Sequence, residues 1–149
     1  MGAGVPGPPG KGAAPAGLVL DTSAVMRLLL DQPGADEVQR ILEGDEPVAL
    51  PFIALMEVRY VLLRQLPAEQ VDQLVTLLRA SPVEVPESDP AWGYVAAQVK
   101  SRGGLSVADA WMAALALLRN ATLVHRDPEF EGVSGLQARW LGPRPPRNP

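Results

Sequence analysis

From Leu18 to Leu141, short apolar runs alternate with longer amphipathic stretches. Leu18–Leu20 is apolar and three residues long, a strand that ends at Asp21. Ser23 to Leu30 predicts a helix with Thr22 or Ser23 as its N-cap. Ala35–Glu43 carries Val38, Ile41 and Leu42 on one side and stops at Gly44, a second helix. Val48–Leu50 is a brief strand. Phe52–Leu66 is apolar almost all round, which predicts a buried helix. Pro67 then opens a helix from its first position, with Val71, Leu74, Val75 and Leu78 as the inner stripe. Val83–Val85 reads as a third strand, Ala91–Ser101 as a helix closed by Gly103 and Gly104, and Ser106–Arg119 as a helix capped by Ser106. Thr122–His125 is a fourth strand and Gln137–Leu141 a fifth at the sheet edge. Strands this short, separated by helices, build parallel βαβ units. The expected architecture is an α/β, three-layer α/β/α sandwich with a short, mostly parallel sheet.

The flanks are different. Residues 1–17 are rich in Gly, Pro and Ala and carry no apolar run of signal-peptide length, so a disordered leader is expected there. Residues 142–149 (GPRPPRNP) predict a disordered tail, which leaves residues 18–141 as the folded domain. No apolar run reaches the ~18 residues of a membrane span, and a cytoplasmic location is expected.

Composition narrows the chemistry. With no cysteine there are no disulfides and no thiolate metal sites, as suits a reducing compartment. The single histidine, His125, excludes a histidine-rich zinc site and leaves only one base for a Ser-His-Asp triad. The net charge is −4, but all 17 acids lie within residues 18–141, whereas Lys11, Arg144 and Arg147 lie outside. An acidic domain argues against tight, non-specific nucleic-acid binding, although arginines beside a bound cation can still hold a phosphate.

Four acids border apolar elements. Asp21 follows the first strand directly, and Asp127 stands two residues after the apolar part of the fourth. Ligands in open α/β sheets gather outside the carboxyl ends of strands. Glu57 has Ile53, Ala54, Tyr60 and Val61 one helical turn away, an apolar setting in which a lone carboxylate is costly. Asp109 lies one turn into its helix among Leu105, Ser106, Met112 and Ala113. Each acid has a plainer role: Asp21 as a cap, Glu57 as partner of Arg59 or Arg64, Asp109 as a first-turn acid, Asp127 as a turn former before Pro128. Taken together, carboxylates without histidine or thiol suit hard cations such as Mg²⁺ or Mn²⁺, the usual equipment of phosphodiester hydrolysis.

In order and spacing, Val19-Leu20-Asp21-Thr22-Ser23-Ala24, Met56-Glu57-Val58, Leu105-Ser106-Val107-Ala108-Asp109-Ala110 and Leu123-Val124-His125-Arg126-Asp127-Pro128-Glu129-Phe130 resemble the PIN-domain family. Within it, the resemblance is to the VapC toxins of VapBC toxin–antitoxin pairs, and it extends over residues 18–141. The resemblance implies a Mg²⁺- or Mn²⁺-dependent endoribonuclease that hydrolyses RNA with a metal-activated water. It places Asp21, Glu57 and Asp109 at the three most constant acidic positions and Asp127 at a more variable fourth, with Glu129 as its substitute or supplement. Thr22, Ser23 and Ser106 would support the site. Arg27, Arg59, Arg102 and Arg126 are candidates to steady the RNA backbone, with surface or ion-pair roles as the simpler alternative. Many relatives have Thr or Ser where His125 stands; a histidine there would tune metal or water binding, or mark weakened activity. A VapB-like antitoxin carrying an arginine and a homodimer are implied as partners. The apolar stretches Phe52–Leu63 and Leu74–Leu78 would supply part of the dimer interface, though core burial explains them more simply.

Three rival readings remain. A housekeeping RNA-processing nuclease of the same fold would carry the same acids. A non-catalytic RNA- or protein-binding module is opposed by the intact acid set. A phosphotransfer receiver is opposed by the lack of an acidic neighbour of Asp21 and by a lysine count of two, Lys11 and Lys100. No Gly-rich phosphate loop is present in residues 18–141, so nucleotide binding has no support.

Overall fold

The computed structural model describes residues 16–146. Residues 1–15 of the expected leader and 147–149 of the expected tail lie outside the described residues. Hydrogen bonds join residues 16, 17 and 142 to the domain. Ala16 N–H donates to the Asn120 carbonyl, the Thr122 N–H donates to Gly17, and Gly142 N–H donates to Glu37.

The fold is a four-stranded parallel sheet flanked by helices, a PIN-like α/β arrangement. The strands are β1 (Leu18–Leu20), β2 (Val48–Ala49), β3 (Thr122–His125) and β4 (Gln137–Trp140), in the spatial order β2-β1-β3-β4. Leu18 pairs with Val48 on one side and Thr122 on the other, and His125 pairs with Trp140. β1 and the Leu123–Val124 centre of β3 are buried on both faces, which is why both read as apolar. The expected strand at Val83–Val85 is reduced to a single parallel bridge, Ala49 to Glu84. Pro82 and Pro86 bracket it and remove two ladder donors.

Among the described residues, six helices fill the crossovers: α1 (Thr22–Leu29), α2 (Ala35–Glu43), α3 (Phe52–Leu63), α4 (Ala68–Ala80), α5 (Pro90–Ser101) and α6 (Val107–Arg119). They pack chiefly as α1 on α2, α3 on α4 and α5 on α6. Val71, Val75 and Leu78 of α4 are buried and Leu74 partly so, as the stripe required. Pro67 is the N-cap of α4 and not its first helical residue. α3 departs from expectation more substantially. Ala54, Val58 and Leu62 are buried, but Met56, Tyr60 and Leu63 are exposed, at 55%, 41% and 48%. A helix apolar all round has only one face pressed into this core. Trp92, Trp111 and Phe52 interlock edge to face with centroids 5.2–5.4 Å apart, and Trp92 Nε1 donates to the Trp111 carbonyl at 2.7 Å. This aromatic knot ties α3, α5 and α6 together.

The chain runs from β1 outward to β2 and then returns to place β3 on β1's other side. The strand order thus reverses between β1 and β3, and a crevice forms outside their carboxyl ends.

Candidate metal centre

Asp21 stands at the end of β1, in register with that crevice; its N–H donates to the Val124 carbonyl of β3 at 3.2 Å. Asp21 itself is the N-cap of α1, with Oδ1 accepting from Ala24 N–H at 2.9 Å. This corrects the assignment of the cap to Thr22 or Ser23, which lie in the first turn. Both residues instead serve the acids. Ser23 Oγ lies 2.7 and 2.8 Å from the two Asp21 oxygens and accepts from Arg126 N–H at 2.9 Å, linking β1's end to β3's. Thr22 Oγ1 donates to Glu57 Oε1 at 2.7 Å and so holds the α3 carboxylate against α1.

Asp109 lies in the first turn of α6, where Ser106 Oγ caps the helix by accepting Asp109 N–H at 3.1 Å. Asp127 precedes a 3₁₀ turn, Pro128–Gly132, and its Oδ1 accepts Glu129 N–H at 2.9 Å. One carboxylate oxygen each from Asp109, Asp127 and Glu129 lies within 4.8 Å of the other two. Asp21 and Glu57 fall outside that triad but within electrostatic reach of Asp109. Sequence reasoning ranked Glu129 as a supplement; the turn at Pro128 brings it into the innermost cluster.

The electrostatics are those of acids crowded in a part-buried space. Burial pushes the Asp21 carboxyl up to about 7, and repulsion from Asp109 and Asp127 adds to the rise, against the pull of Ser23 and the Ala24 amide. Burial and the Asp127 charge raise Asp109 to about 6, with smaller contributions from Glu57 and Glu129. Among the described residues, no ion pair joins an arginine to any of these five acids. A divalent cation would relieve the repulsion. Ligand distances of ~2.0–2.1 Å put oxygens on one octahedral Mg²⁺ about 2.9 Å apart when adjacent and about 4.2 Å when opposite, so the triad would draw together on binding. The oxygen-only donor set fits Mg²⁺ or Mn²⁺.

Other residues proposed for the site are placed elsewhere. His125 is 1% exposed, packed edge-on against Phe130 and Trp140 at 5.2 and 5.6 Å. Its Nδ1 accepts Asp127 N–H at 3.1 Å, and burial lowers its pKa against the opposite pull of Asp127. The ring is thus a buried group that shapes the Asp127 turn through this backbone bond. Arg59 is paired with Asp72 of α4 at the surface. Arg126 Nη1 reaches the Leu141 and Pro33 carbonyls at 3.3 and 3.5 Å and its guanidinium lies over Trp140, so it braces β4. Arg27 lies beside Arg126, whose charge adds to burial in lowering the Arg27 pKa. Arg102 is exposed in the turn between α5 and α6.

The PIN-domain family model matches residues 18–136. No curated protein matches the sequence. Among solved structures, DNA-bound VapBC from Salmonella typhimurium matches with a TM-score of 0.71 at 22% identity, over 83% of this chain and 97% of that one. VapBC-1 from nontypeable Haemophilus influenzae matches with a TM-score of 0.64 at 25% identity, over 82% and 96% of the two chains. VapC20 from Mycobacterium tuberculosis, a sarcin–ricin loop cleaving toxin, matches with a TM-score of 0.64 at 16% identity, over 80% and 95%.

Proposed function

The chain belongs to the PIN-domain family, and on that premise we propose that it is a divalent-metal-dependent endoribonuclease of the VapC toxin kind, working at the acidic crevice beyond β1 and β3. The observation that carries this reading is the convergence of Asp109, Asp127 and Glu129 oxygens within 4.8 Å, with Asp21 raised to about 7 beside them. One structural neighbour, VapC20, is a sarcin–ricin loop cleaving toxin, which supports RNA as the substrate class.

Asp109, Asp127, Glu129 and Asp21 would hold the cation. When bound, it neutralises charge on the scissile phosphate and lowers the pKa of an adjacent water. The chain's own groups orient the reaction. Ser23 holds the Asp21 carboxylate, and Ser106 anchors the first turn that presents Asp109. Thr22 occupies Glu57 Oε1 and leaves Oε2 without a partner among the described residues. Oε2 is then available to accept a proton from the attacking water and aim its lone pair at the phosphate.

The partner in this reading is a VapB-like antitoxin, whose arginine would meet the unpaired carboxylates. Assembly as a homodimer uses the exposed Met56, Tyr60 and Leu63 of α3. No helix among the described residues is long and apolar enough to cross a membrane.

The test is cleavage of a mixed RNA pool by the purified protein with Mg²⁺ or Mn²⁺, with EDTA, and by Asp21→Asn. Metal-dependent cutting that the substitution abolishes is the expected result. Cutting that survives both EDTA and Asp21→Asn would remove the basis of the assignment.

A further inference from the structure

The turn between α5 and α6 and the 3₁₀ turn after β3 enclose a cleft of ≈ 130 Å³. Glu129 belongs both to this cleft and to the carboxylate triad, so the two spaces are joined. Val99 and Leu105, both buried, make an apolar floor. Gly103 and Gly104 form one wall, with φ of +83° and +89°, and a Cβ on either would meet nothing within 4 Å. The left-handed backbone, rather than packing, is what requires glycine there, and without side chains the main chain itself lines the cleft. Ser134 stands on the opposite rim. Arg102, also on the rim, makes no ion pair among the described residues, whereas Arg59, Arg119, Arg139 and Arg144 are each held by a carboxylate.

The volume is well under the ~300 Å³ at which drug-sized sites begin, so the space suits one small planar ring. Single-stranded RNA is read by splaying a base onto an apolar or guanidinium face and hydrogen-bonding its edge. The cleft offers each element: an apolar floor, a free guanidinium, and a hydroxyl with backbone groups at the rim. Its junction with the triad at Glu129 places an occupant next to a phosphate held by the carboxylate-bound cation. We infer that this cleft is a base-selectivity subsite, taking one unstacked nucleobase immediately flanking the scissile phosphate, with Arg102 over its face and Ser134 and the Gly103–Gly104 backbone at its edge. The inference rests on the nuclease reading for its consequence, though not for its binding test.

The full-length protein is titrated with each of the four ribonucleoside 5′-monophosphates in Mg²⁺, following the backbone amides of Gly103, Gly104 and Ser134 by NMR. At least one base is expected to shift these amides more than the others. Ser134→Leu, which fills the cleft from its exposed rim, is expected to abolish those shifts while leaving the rest of the spectrum in place. No movement of these amides with any nucleotide would overturn the subsite whether or not the protein cuts RNA. In a randomised RNA pool, sequencing of product ends is expected to show a base preference beside the cut. Ser134→Leu and Arg102→Ala should lower the ratio of preferred to non-preferred cuts at least about fivefold, the lower end of what one base-edge contact contributes. An unchanged ratio in both variants would equally overturn the subsite. Failure of the wild type to cut counts against the nuclease reading alone, because the nucleotide titration still decides the cleft.

Discussion

Replacing Asp21 by Asn should stabilise the metal-free protein, and by an amount that depends on pH. Asp21 is 2% exposed, and its carboxyl is raised from 3.8 to about 7. The folded state therefore binds a proton that the unfolded state has released, and stability falls as pH rises between those two values. Above pH 7 the full cost of holding the ionised carboxylate in place is present. About three pH units at ~1.36 kcal/mol each is about 4 kcal/mol. At pH 5 only the first part of that range has been crossed, and the cost is about 1.5–2 kcal/mol. Asparagine is always neutral, caps helices about as well as aspartate, and can keep the acceptor for the Ala24 amide at 2.9 Å. Urea unfolding in EDTA, for wild type and Asp21→Asn at pH 5 and pH 8, measures the difference directly. The variant should be the more stable at pH 8, and its advantage should shrink by about 2–3 kcal/mol at pH 5. An advantage independent of pH, or a variant less stable at pH 8, would show that Asp21 titrates in its ordinary range and that the crowding of acids described above is wrong.

Thr22→Val removes the 2.7 Å bond to Glu57 and leaves that carboxylate free to turn; metal-supported RNA cleavage should fall by about 10-fold or more with unfolding free energy changed by under about 1.5 kcal/mol, read by initial rates beside a urea titration. Trp92→Phe deletes the 2.7 Å Nε1 bond to the Trp111 carbonyl, which keeps its helical acceptor role inside α6, and leaves part of the buried indole's space empty, a loss of about 1–2 kcal/mol in chemical denaturation. Gly17→Ala would put a Cβ 2.6 Å from the Pro47 carbonyl oxygen at a φ of +89°; a thermal melt should show a loss of at least about 1–3 kcal/mol even though only one methyl is added. Arg119→Ala, by contrast, breaks an exposed two-bond pair with Glu84 at 2.6 and 2.8 Å and should cost under about 1 kcal/mol by the same melt, less at high salt.

Local pattern determined most of the element order. Leu18–Leu20 and the Leu123–Val124 centre of the later strand are buried on both faces, so each had to be apolar, and the acid that follows, directly at Asp21 and after two residues at Asp127, was visible without any tertiary knowledge. Helix limits were equally legible where a cap residue spoke for them, as Ser106 does for α6 and Gly44 for the end of α2. The carboxylates could be named because each borders one of these buried elements, and a charge beside apolar neighbours is costly enough to need a reason.

What the pattern could not hold is information about neighbours in space. Whether Asp21 or Thr22 caps α1 depends on the backbone angle at the end of β1, since both side chains can accept the same amide. The exposed face of α3 is decided by the width of the core it packs on, and Met56, Tyr60 and Leu63 are as apolar as the residues they follow. The Val83–Val85 segment had strand-like side chains but lost its ladder to flanking prolines, leaving one bridge. His125 sits two residues from Asp127 in the chain, yet only the fold shows its ring packed between Phe130 and Trp140 while its Nδ1 accepts the Asp127 N–H at 3.1 Å. Glu129 joins the triad only because the 3₁₀ turn folds it back on Asp127. The cleft beside it is built from Gly103, Gly104 and Ser134, residues that locally mean only turn. The sequence alone thus determined which elements form and which acids must be satisfied, because those depend on period and polarity along the chain. The tertiary structure decided which acids meet and what opens beside them, because distances across a parallel sheet's carboxyl edge are set by crossovers that no local window contains.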